Sequence, residues 1–179
     1  MKASIVYDSA YGNTKLVAQA IAEQAERDGY ATELLGLREG RPRPLTGDVL
    51  FVGGPTHMGK MTRRVSHFLQ KVDRDYWSHR PVFAFDTYGP VATAEEDRHK
   101  QERWIIPGAA GGIQTLAREL GLLVSSNALR CPVTGVRGPL VPEALGMAKA
   151  FTHQVLGSGG APPVTSMVGT GAQREPAAT

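Results

Sequence analysis

The sequence predicts an α/β fold, with a five-stranded parallel sheet in the order 2-1-3-4-5 covered by helices on both faces. Short apolar runs alternate with amphipathic stretches, and the runs are apolar at consecutive positions, as in strands that are buried on both faces. A length of 179 residues with 41% hydrophobic content suffices for one domain with its own core. Because crossovers between parallel strands are right-handed, few strand orders remain, and 2-1-3-4-5 is a common one.

Five apolar runs are the predicted strands: 3–7, 31–35, 49–52, 81–85 and 122–133, the last with a break near Ser126 and Asn127. Apolar residues at helical spacing predict one helix that begins near Asn13 and ends at Gly29, and three more at 61–72, 109–120 and 142–156. The segment 38–46 carries two prolines and is interpreted as a connection. The charged run 95–103 is interpreted as a solvated face, or as a rim for a partner or lid.

Composition separates a domain from a tail. Residues 157–179 contain five glycines, three prolines and no aromatic residue, so we expect a domain at 1–156 followed by a flexible tail. The net charge of +3 is mild, and we expect no nucleic-acid partner. One cysteine excludes an intrachain disulfide and favours a cytoplasmic location, and no run of residues is long enough for a membrane span. The oligomeric state stays open.

The loop between the first strand and the first helix has the composition of a phosphate site. It reads Ser9-Ala10-Tyr11-Gly12-Asn13-Thr14, with Asn13 as the candidate N-cap. Unpaired N–H groups and the helix dipole favour an anion at such a terminus. An ordinary capped helix start would look the same, but this loop lies where the predicted strand order reverses, which is where such sheets bind ligands. It lacks G-x-G-x-x-G, which disfavours a dinucleotide site.

The stretch from Ile5 to Thr14, continued by Ala18 and Ile21, resembles the phosphate-loop signature of the flavodoxin family. The resemblance covers roughly residues 3–156 and implies a flavodoxin-like three-layer sandwich that binds FMN. It implies that the FMN phosphate is held by Ser9, Tyr11, Gly12, Asn13 and Thr14. Many flavodoxins have a third hydroxyl residue where this chain has Tyr11, whose backbone amide can still serve.

The loop after the third predicted strand, Gly53 to Lys60, resembles the family's loop beside the flavin ring. The resemblance implies that the ring is lined by Pro55, Thr56, His57, Met58 and Gly59, with a backbone group near Gly59 meeting flavin N5. The same stretch nearly matches the nucleotide pattern G-x-x-x-x-G-K-[ST]. Met61 stands where a hydroxyl should bind magnesium, so a nucleotide triphosphate site is disfavoured.

The loop after the fourth predicted strand resembles the family's loop on the other side of the flavin. The resemblance implies contacts from Asp86, Thr87, Tyr88 and Gly89, with Tyr88 stacked on the ring. A half-buried turn tyrosine is the alternative for that residue. The segment 135–140 resembles the family's closing segment.

Three functions fit these residues. The leading one is an FMN-binding protein that carries electrons between redox partners. The second is an FMN-dependent oxidoreductase of the same fold, of the NAD(P)H:quinone reductase or protoporphyrinogen oxidase type, with a small quinone-like substrate. The third is a binding module without flavin. Lys60, Arg63 and Arg64 lie beside the second loop, and we expect them to stabilise an anionic reduced flavin, unless they only form a solvated helix face.

The other chemistry-bearing residues predict less. The histidines show no metal-ligand spacing, and we expect no metal. His57 lies on a ligand loop and is either a flavin contact or a polar loop residue. We expect Cys131 in the core, and Trp77 and Trp104 packed against the sheet.

Overall fold

The computed structural model describes residues 1–40, 44–92 and 94–157. The predicted tail lies outside the described residues, apart from Gly157. The strands are β1 (Lys2–Tyr7), β2 (Ala31–Gly36), β3 (Val49–Pro55), β4 (Val82–Tyr88) and β5 (Val124–Pro132). The helices are α1 (Asn13–Arg27), α2 (Arg63–Lys71), α3 (Arg74–Trp77), α4 (Glu95–Ile105), α5 (Gly108–Glu119) and α6 (Ala144–Gly157).

The strands form one parallel sheet in the order β2-β1-β3-β4-β5, which confirms the predicted fold class. The break expected in the last strand is a bulge instead. Val82 pairs with Val124 and Ala84 pairs with Ala128, so residues 125–127 of β5 lie opposite Phe83 alone. β5 therefore continues past the irregularity to the carboxyl edge of the sheet.

Two hydrophobic layers enclose the sheet. On one face α1 and α6 pack on a cluster that includes Ile5, Phe51 and Phe83, with Phe51 and Phe83 in ring contact at 5.2 Å. On the other face α2 and α5 cover a cluster that includes Val52 and Ile113. Consecutive strand residues alternate between the two clusters, which explains the continuous apolar runs.

α1 begins one residue earlier than it would if Asn13 were its N-cap. Gly12 is the N-cap, with φ of 92°, and Asn13 is the first helical residue, so the predicted cap was wrong. A left-handed backbone favours glycine, which explains why Gly12 takes that place. The predicted end is confirmed, because Gly29 follows the helix with φ of 85°.

The charged run 95–103 belongs to a helix, α4, that the hydrophobic pattern did not predict. Its side chains are largely exposed, so it has no strong apolar face for a periodicity argument to detect. Trp104 on this helix is 44% exposed, and the prediction that it packs against the sheet was wrong. Trp77, in contrast, is 1% exposed and belongs to the core cluster of α2 and α5, as expected. Among the helices described, none has the length and apolar character to cross a membrane.

Candidate functional site

A cleft of about 250 Å³ lies at the carboxyl edge of the sheet. Three loops meet there, following β1, β3 and β4, as the strand order predicts. The side chains and backbone that line the cleft are those of Ser9, Ala10, Tyr11, Asn13, Thr14, Pro55, Thr56, His57, Met58, Thr87, Tyr88, Gly89, Val133 and Val136. The structure therefore brings together most of the residues that the sequence predicted from three separate loops.

The first loop is ordered by its own serine. Ser9 Oγ accepts hydrogen bonds from the backbone N–H of Gly12 at 3.1 Å and of Lys15 at 3.3 Å. The N–H groups of Asn13 and Thr14 have no acceptor within the described part of the chain, and the first turn of α1 carries no acidic residue. Two free donors at the positive end of a helix make this loop suited to an anion.

Contacts from distant segments hold the same loop in place. The side-chain amide of Asn13 donates to the carbonyl of Arg137 at 3.0 Å, which ties the loop to the segment after β5. A Cβ on Gly138 would lie 2.5 Å from that amide, which explains a glycine at this approach. The hydroxyls of Thr14 and Thr87 are 2.8 Å apart and join the first loop to the third.

Residues His57–Lys60 form a tight two-residue turn. The N–H of His57 donates to the carbonyl of Lys60, and the N–H of Lys60 donates to that of His57. The two central residues have positive φ, 51° at Met58 and 75° at Gly59, as in a type I′ turn. Met58 is 60% exposed and its non-glycine left-handed backbone is uncommon, which marks the turn as a place of stored strain beside the cleft.

Tyr88 lines the cleft, but one face of its ring is already covered. The guanidinium carbon of Arg130 lies 4.5 Å from the ring centroid, a cation–π distance. The ring therefore offers a ligand at most its opposite face. At the outer end of the cleft, Arg137 lies 5.5 Å from the ring centroid of Tyr11, which is 59% exposed.

Asp86 lies beneath the cleft and connects its parts. Its fully buried carboxylate accepts from the Thr56 hydroxyl at 2.7 Å and from the Ala110 N–H at 3.2 Å. It also forms an ion pair with Arg130, with Nε–Oδ1 and Nη2–Oδ2 both at 3.0 Å. The N–H of Ala109 donates to the Thr56 hydroxyl at 2.7 Å, so β3, β4, β5 and the start of α5 share one network.

Three of the predicted contact residues are not on the cleft surface, namely Gly12, Gly59 and Asp86. Gly12 shapes the first loop, Gly59 faces the carbonyl of Arg103, and Asp86 supports the floor. Sequence reasoning missed Arg130 and the backbone amides of α5. The sequence places Arg130 inside a predicted strand, and this position could have identified it, because a charged residue in a buried strand needs a partner.

Charge around the cleft is cationic. Within the described residues no carboxylate lines it, since Asp86 lies beneath it and Asp8 is buried against Arg38 with Nε–Oδ1 at 2.6 Å. Lys60, Arg63 and Arg64 are exposed beside the His57–Lys60 turn. The described residues contain no cluster of three or more His, Cys, Asp or Glu side chains suited to a metal ion.

Cys131 has no nucleophilic character. Its side chain is fully buried, as predicted, and burial, with a smaller contribution from the Asp86 charge, raises the pKa of the thiol to about 12. A thiol this protonated at neutral pH is a core group rather than a reactive one.

Comparison with known proteins identifies a family by sequence and a shared fold by structure. A family model described as "Flavodoxin domain" matches residues 4–118. A flavodoxin of Aquifex aeolicus (strain VF5) is 35% identical over 78 residues, and the chain spans 42% of the length of that relative. An archaeal flavodoxin structure aligns with a TM-score of 0.66 at 22% identity, covering 88% of this chain and 98% of that one.

A larger enzyme contains the same architecture. The rubredoxin oxygen:oxidoreductase of the anaerobe Desulfovibrio gigas aligns with a TM-score of 0.64 at 15% identity. The alignment covers 88% of this chain but 35% of the enzyme. At these identities, the structural likenesses show the fold alone.

Proposed function

Because the chain belongs to the flavodoxin domain family, we propose that it binds FMN in the cleft and carries electrons between redox partners. The observation that carries the proposal is the first loop, with its two unpaired N–H groups at the start of α1 and the turn His57–Lys60 and Tyr88 on either side of the cleft. FMN would supply the redox chemistry, and the protein binds, orients and tunes it.

The residues present fit a phosphate monoester. The backbone N–H groups of Asn13 and Thr14 have no acceptor among the described residues, and no described carboxylate lines the cleft. Thr14 also lines the cleft, and its hydroxyl is 2.8 Å from that of Thr87. Gly12 has open space where a Cβ would lie, so its positive φ rather than crowding explains the glycine. These groups would hold the phosphate, and Thr56, His57, Met58 and Tyr88 would line the ring.

The turn His57–Lys60 has one anchored and one free peptide group. The carbonyl of Gly59 accepts from the N–H of Gly108 at 3.1 Å, whereas the Gly59 N–H has no acceptor among the described residues. A backbone donor for the flavin ring would therefore come from the Met58–Gly59 peptide. Met58 lines the cleft whereas Gly59 does not, so the contact near Gly59 stays a prediction.

The first experiment is the absorbance spectrum of the freshly purified protein, together with Gly12→Asp and Gly29→Asp. Both glycines have positive φ and open space around a Cβ, but they lie at opposite ends of α1. Gly12→Asp places a carboxylate against the phosphate and should abolish FMN retention, while Gly29→Asp should retain it. Colourless wild-type protein that cannot be loaded with FMN would instead favour a binding module without flavin.

The cations beside the turn should raise the potential of the second electron. An anionic reduced flavin is stabilised by nearby positive charge, and Lys60, Arg63 and Arg64 lie on that side. Lys60→Gln should lower the second-electron potential in an anaerobic redox titration, while Lys71→Gln, at the far end of α2, should not change it. A very low wild-type potential would contradict this assignment.

A second function, an FMN-dependent oxidoreductase, is favoured by one observation. A separate groove with room for a small molecule lies directly beside the cleft and shares Met58 with it. Anaerobic turnover with NAD(P)H and a quinone, or oxidation of a porphyrinogen, would support an enzyme. A protein that accepts electrons only from another redox protein would support the carrier.

A further inference from the structure

A groove of about 450 Å³ lies on the far side of the His57–Lys60 turn from the cleft. Its walls are that turn, the start of α2 and the connection between α4 and α5. The residues that line it are Met58, Gly59, Lys60, Met61, Thr62, Arg63, Ser66, Arg103, Ile106, Pro107, Gly108 and Gly112. Sequence reasoning assigned no function to this combination of segments.

The surface of the groove is apolar, and the charged side chains among its described lining residues are all positive. Met61, Ile106 and Pro107 supply apolar surface, and Ile106 is 59% exposed. Lys60, Arg63 and Arg103 are the charged residues that line it, and none of them forms an ion pair with a described carboxylate. Arg103 also lies 5.2 Å from the ring centroid of Trp104. Exposed apolar surface joined to cations that have no described ion-pair partner is complementary to a ligand that is itself apolar and anionic.

The groove is formed without a ligand because its walls are joined by close backbone contacts. The N–H of Gly108 donates to the carbonyl of Gly59 at 3.1 Å, and a Cβ on Gly59 would lie 2.5 Å from the carbonyl of Arg103. At the back of the groove Gly112 has no side chain, and a Cβ there would lie 3.6 Å from Cγ of Met61. A rigid, preformed site loses little ordering entropy on binding.

We propose that this groove binds an apolar organic anion, of the size of a fused aromatic ring system that carries an acidic group. The rings would cover Met61, Ile106 and Pro107, and the acidic group would pair with the arginines, whose planar guanidinium suits carboxylate and sulfonate. A second groove, between residues 44–46 and α2, is also apolar but includes the carboxylate of Asp73, so it lacks this exclusively positive lining.

Met58 contributes to both the groove and the cleft, so a ligand in the groove would lie against the turn beside the proposed flavin ring. If the ligand in the groove exchanges electrons with the flavin as a substrate, that role rests on the proposed function. Binding itself does not, because no residue of the phosphate loop lines the groove.

Two fluorescent probes of matched shape test the charge requirement on the full chain. 1-Anilinonaphthalene-8-sulfonate is an apolar anion, and N-phenyl-1-naphthylamine is the same ring system without the sulfonate. The double variant Arg63→Gln, Arg103→Gln should weaken binding of the sulfonate about tenfold or more, because charge-assisted hydrogen bonds are lost. Binding of the neutral probe should change less than about twofold.

Two further variants locate the binding. Gly112→Leu extends a side chain toward Met61 and should abolish binding of both probes. Gly112→Ala adds only a methyl group at the same position of α5 and should weaken binding less. Lys71→Gln, at the other groove, should leave both affinities unchanged. Unaltered sulfonate binding in Gly112→Leu, or equal losses for the two probes in the charge variant, would overturn the proposal.

Failure of this proposal is distinguishable from failure of the proposed function. FMN content is measured by absorbance in the same variants, and it should stay at the wild-type level in Gly112→Ala and Lys71→Gln. Loss of probe binding with flavin retained would confine the effect to the groove. Probe binding by a protein that cannot be loaded with FMN would support the groove and contradict the flavin site.

Discussion

Two carboxylates are buried at the carboxyl edge of the sheet, and the chain holds them differently. Asp8 follows β1 and pairs with Arg38, while its Oδ2 is buried with no hydrogen-bond partner in the described structure. Asp86 lies in β4 and has partners for both oxygens, from Thr56, Ala110 and Arg130. Both side chains are fully buried, so the difference lies in their partners and not in their exposure.

The two carboxylates mark two sides of the cleft, one held by contacts within a short segment and the other by contacts between distant segments. The loop after Asp8 is ordered largely within residues 9–15, through Ser9 Oγ and the start of α1. The other side of the cleft depends on Asp86, whose partners come from the residue after β3, from α5 and from β5. A change at Asp86 should therefore disturb several segments together, and a change at Asp8 should disturb few.

The largest expected effect is that of Asp86→Ala. Removing the carboxylate leaves Arg130 without its ion-pair partner and takes an acceptor from the Ala110 N–H. We expect the free energy of unfolding to fall by about 3–5 kcal/mol, as for a buried pair that loses one member. Chemical denaturation measures this loss.

Asp8→Ala is the matched comparison and should lower the free energy of unfolding by about 1–2 kcal/mol. Arg38 is 38% exposed and can be solvated, and the variant also removes the unpartnered Oδ2. Equal losses of unfolding free energy at the two positions would show that the hydrogen-bond partners of Asp86 contribute no stability beyond that of a buried carboxylate.

The next effect is that of Gly108→Ala at the start of α5. Gly108 has φ of 74°, and a Cβ there would overlap the guanidinium of Arg130 and lie 2.8 Å from Asp86 Oδ2. We expect a loss of about 2–4 kcal/mol, the sum of left-handed strain and overpacking. The measurement is again denaturant unfolding.

Gly121→Ala isolates the strain component. Gly121 has φ of 78° but no atom within 4 Å of a Cβ, so we expect a loss of only about 1 kcal/mol. If Gly108→Ala costs no more than Gly121→Ala, the network around Asp86 yields to a methyl group and is not tightly packed.

A smaller effect is expected on the pKa of Cys131, which depends on the charge of Asp86. Burial, and second the Asp86 charge, raises the pKa of the Cys131 thiol to about 12. Asp86→Asn removes the charge and should lower that pKa, although it stays above its ordinary value because burial remains. The pH dependence of the ¹³Cβ chemical shift of Cys131, the one cysteine of the sequence, measures the shift, and Asp8→Asn should leave the profile unchanged.

The smallest effect lies on the Asp8 side, in the exposed pair Lys15–Glu39, with Nζ–Oε1 at 2.9 Å. The hydrogen bond from Lys15 holds the pKa of Glu39 below its ordinary value. A lowered carboxyl pKa contributes stability that is present above the ordinary value and lost as the pH falls through the folded value. Lys15→Gln should therefore lower the Tm slightly at pH 7, and the difference from wild type should disappear in acid. A difference that persists in acid would assign the effect to packing.

The same division explains what could be predicted. The strands depend on residues that are neighbours in the sequence, and apolar runs predict them well. Their order was predicted from the handedness of crossovers, which leaves few arrangements. α4 was missed because its mostly polar residues bury no apolar stripe. The N-cap was displaced by one residue because Gly12 accepts a backbone angle that Asn13 would adopt less readily.

The sequence alone determined the fold class, the edge of the sheet where the site lies and most of the residues at its surface. Local patterns suffice for this, because hydrophobic period and glycine placement act within a few residues. Only the tertiary structure showed that Asp86 supports the cleft, that Arg130 covers a face of Tyr88, and that Lys60 and Arg103 share a groove. Those contacts join residues 24 to 44 positions apart, too far for a pattern of neighbouring residues to predict them.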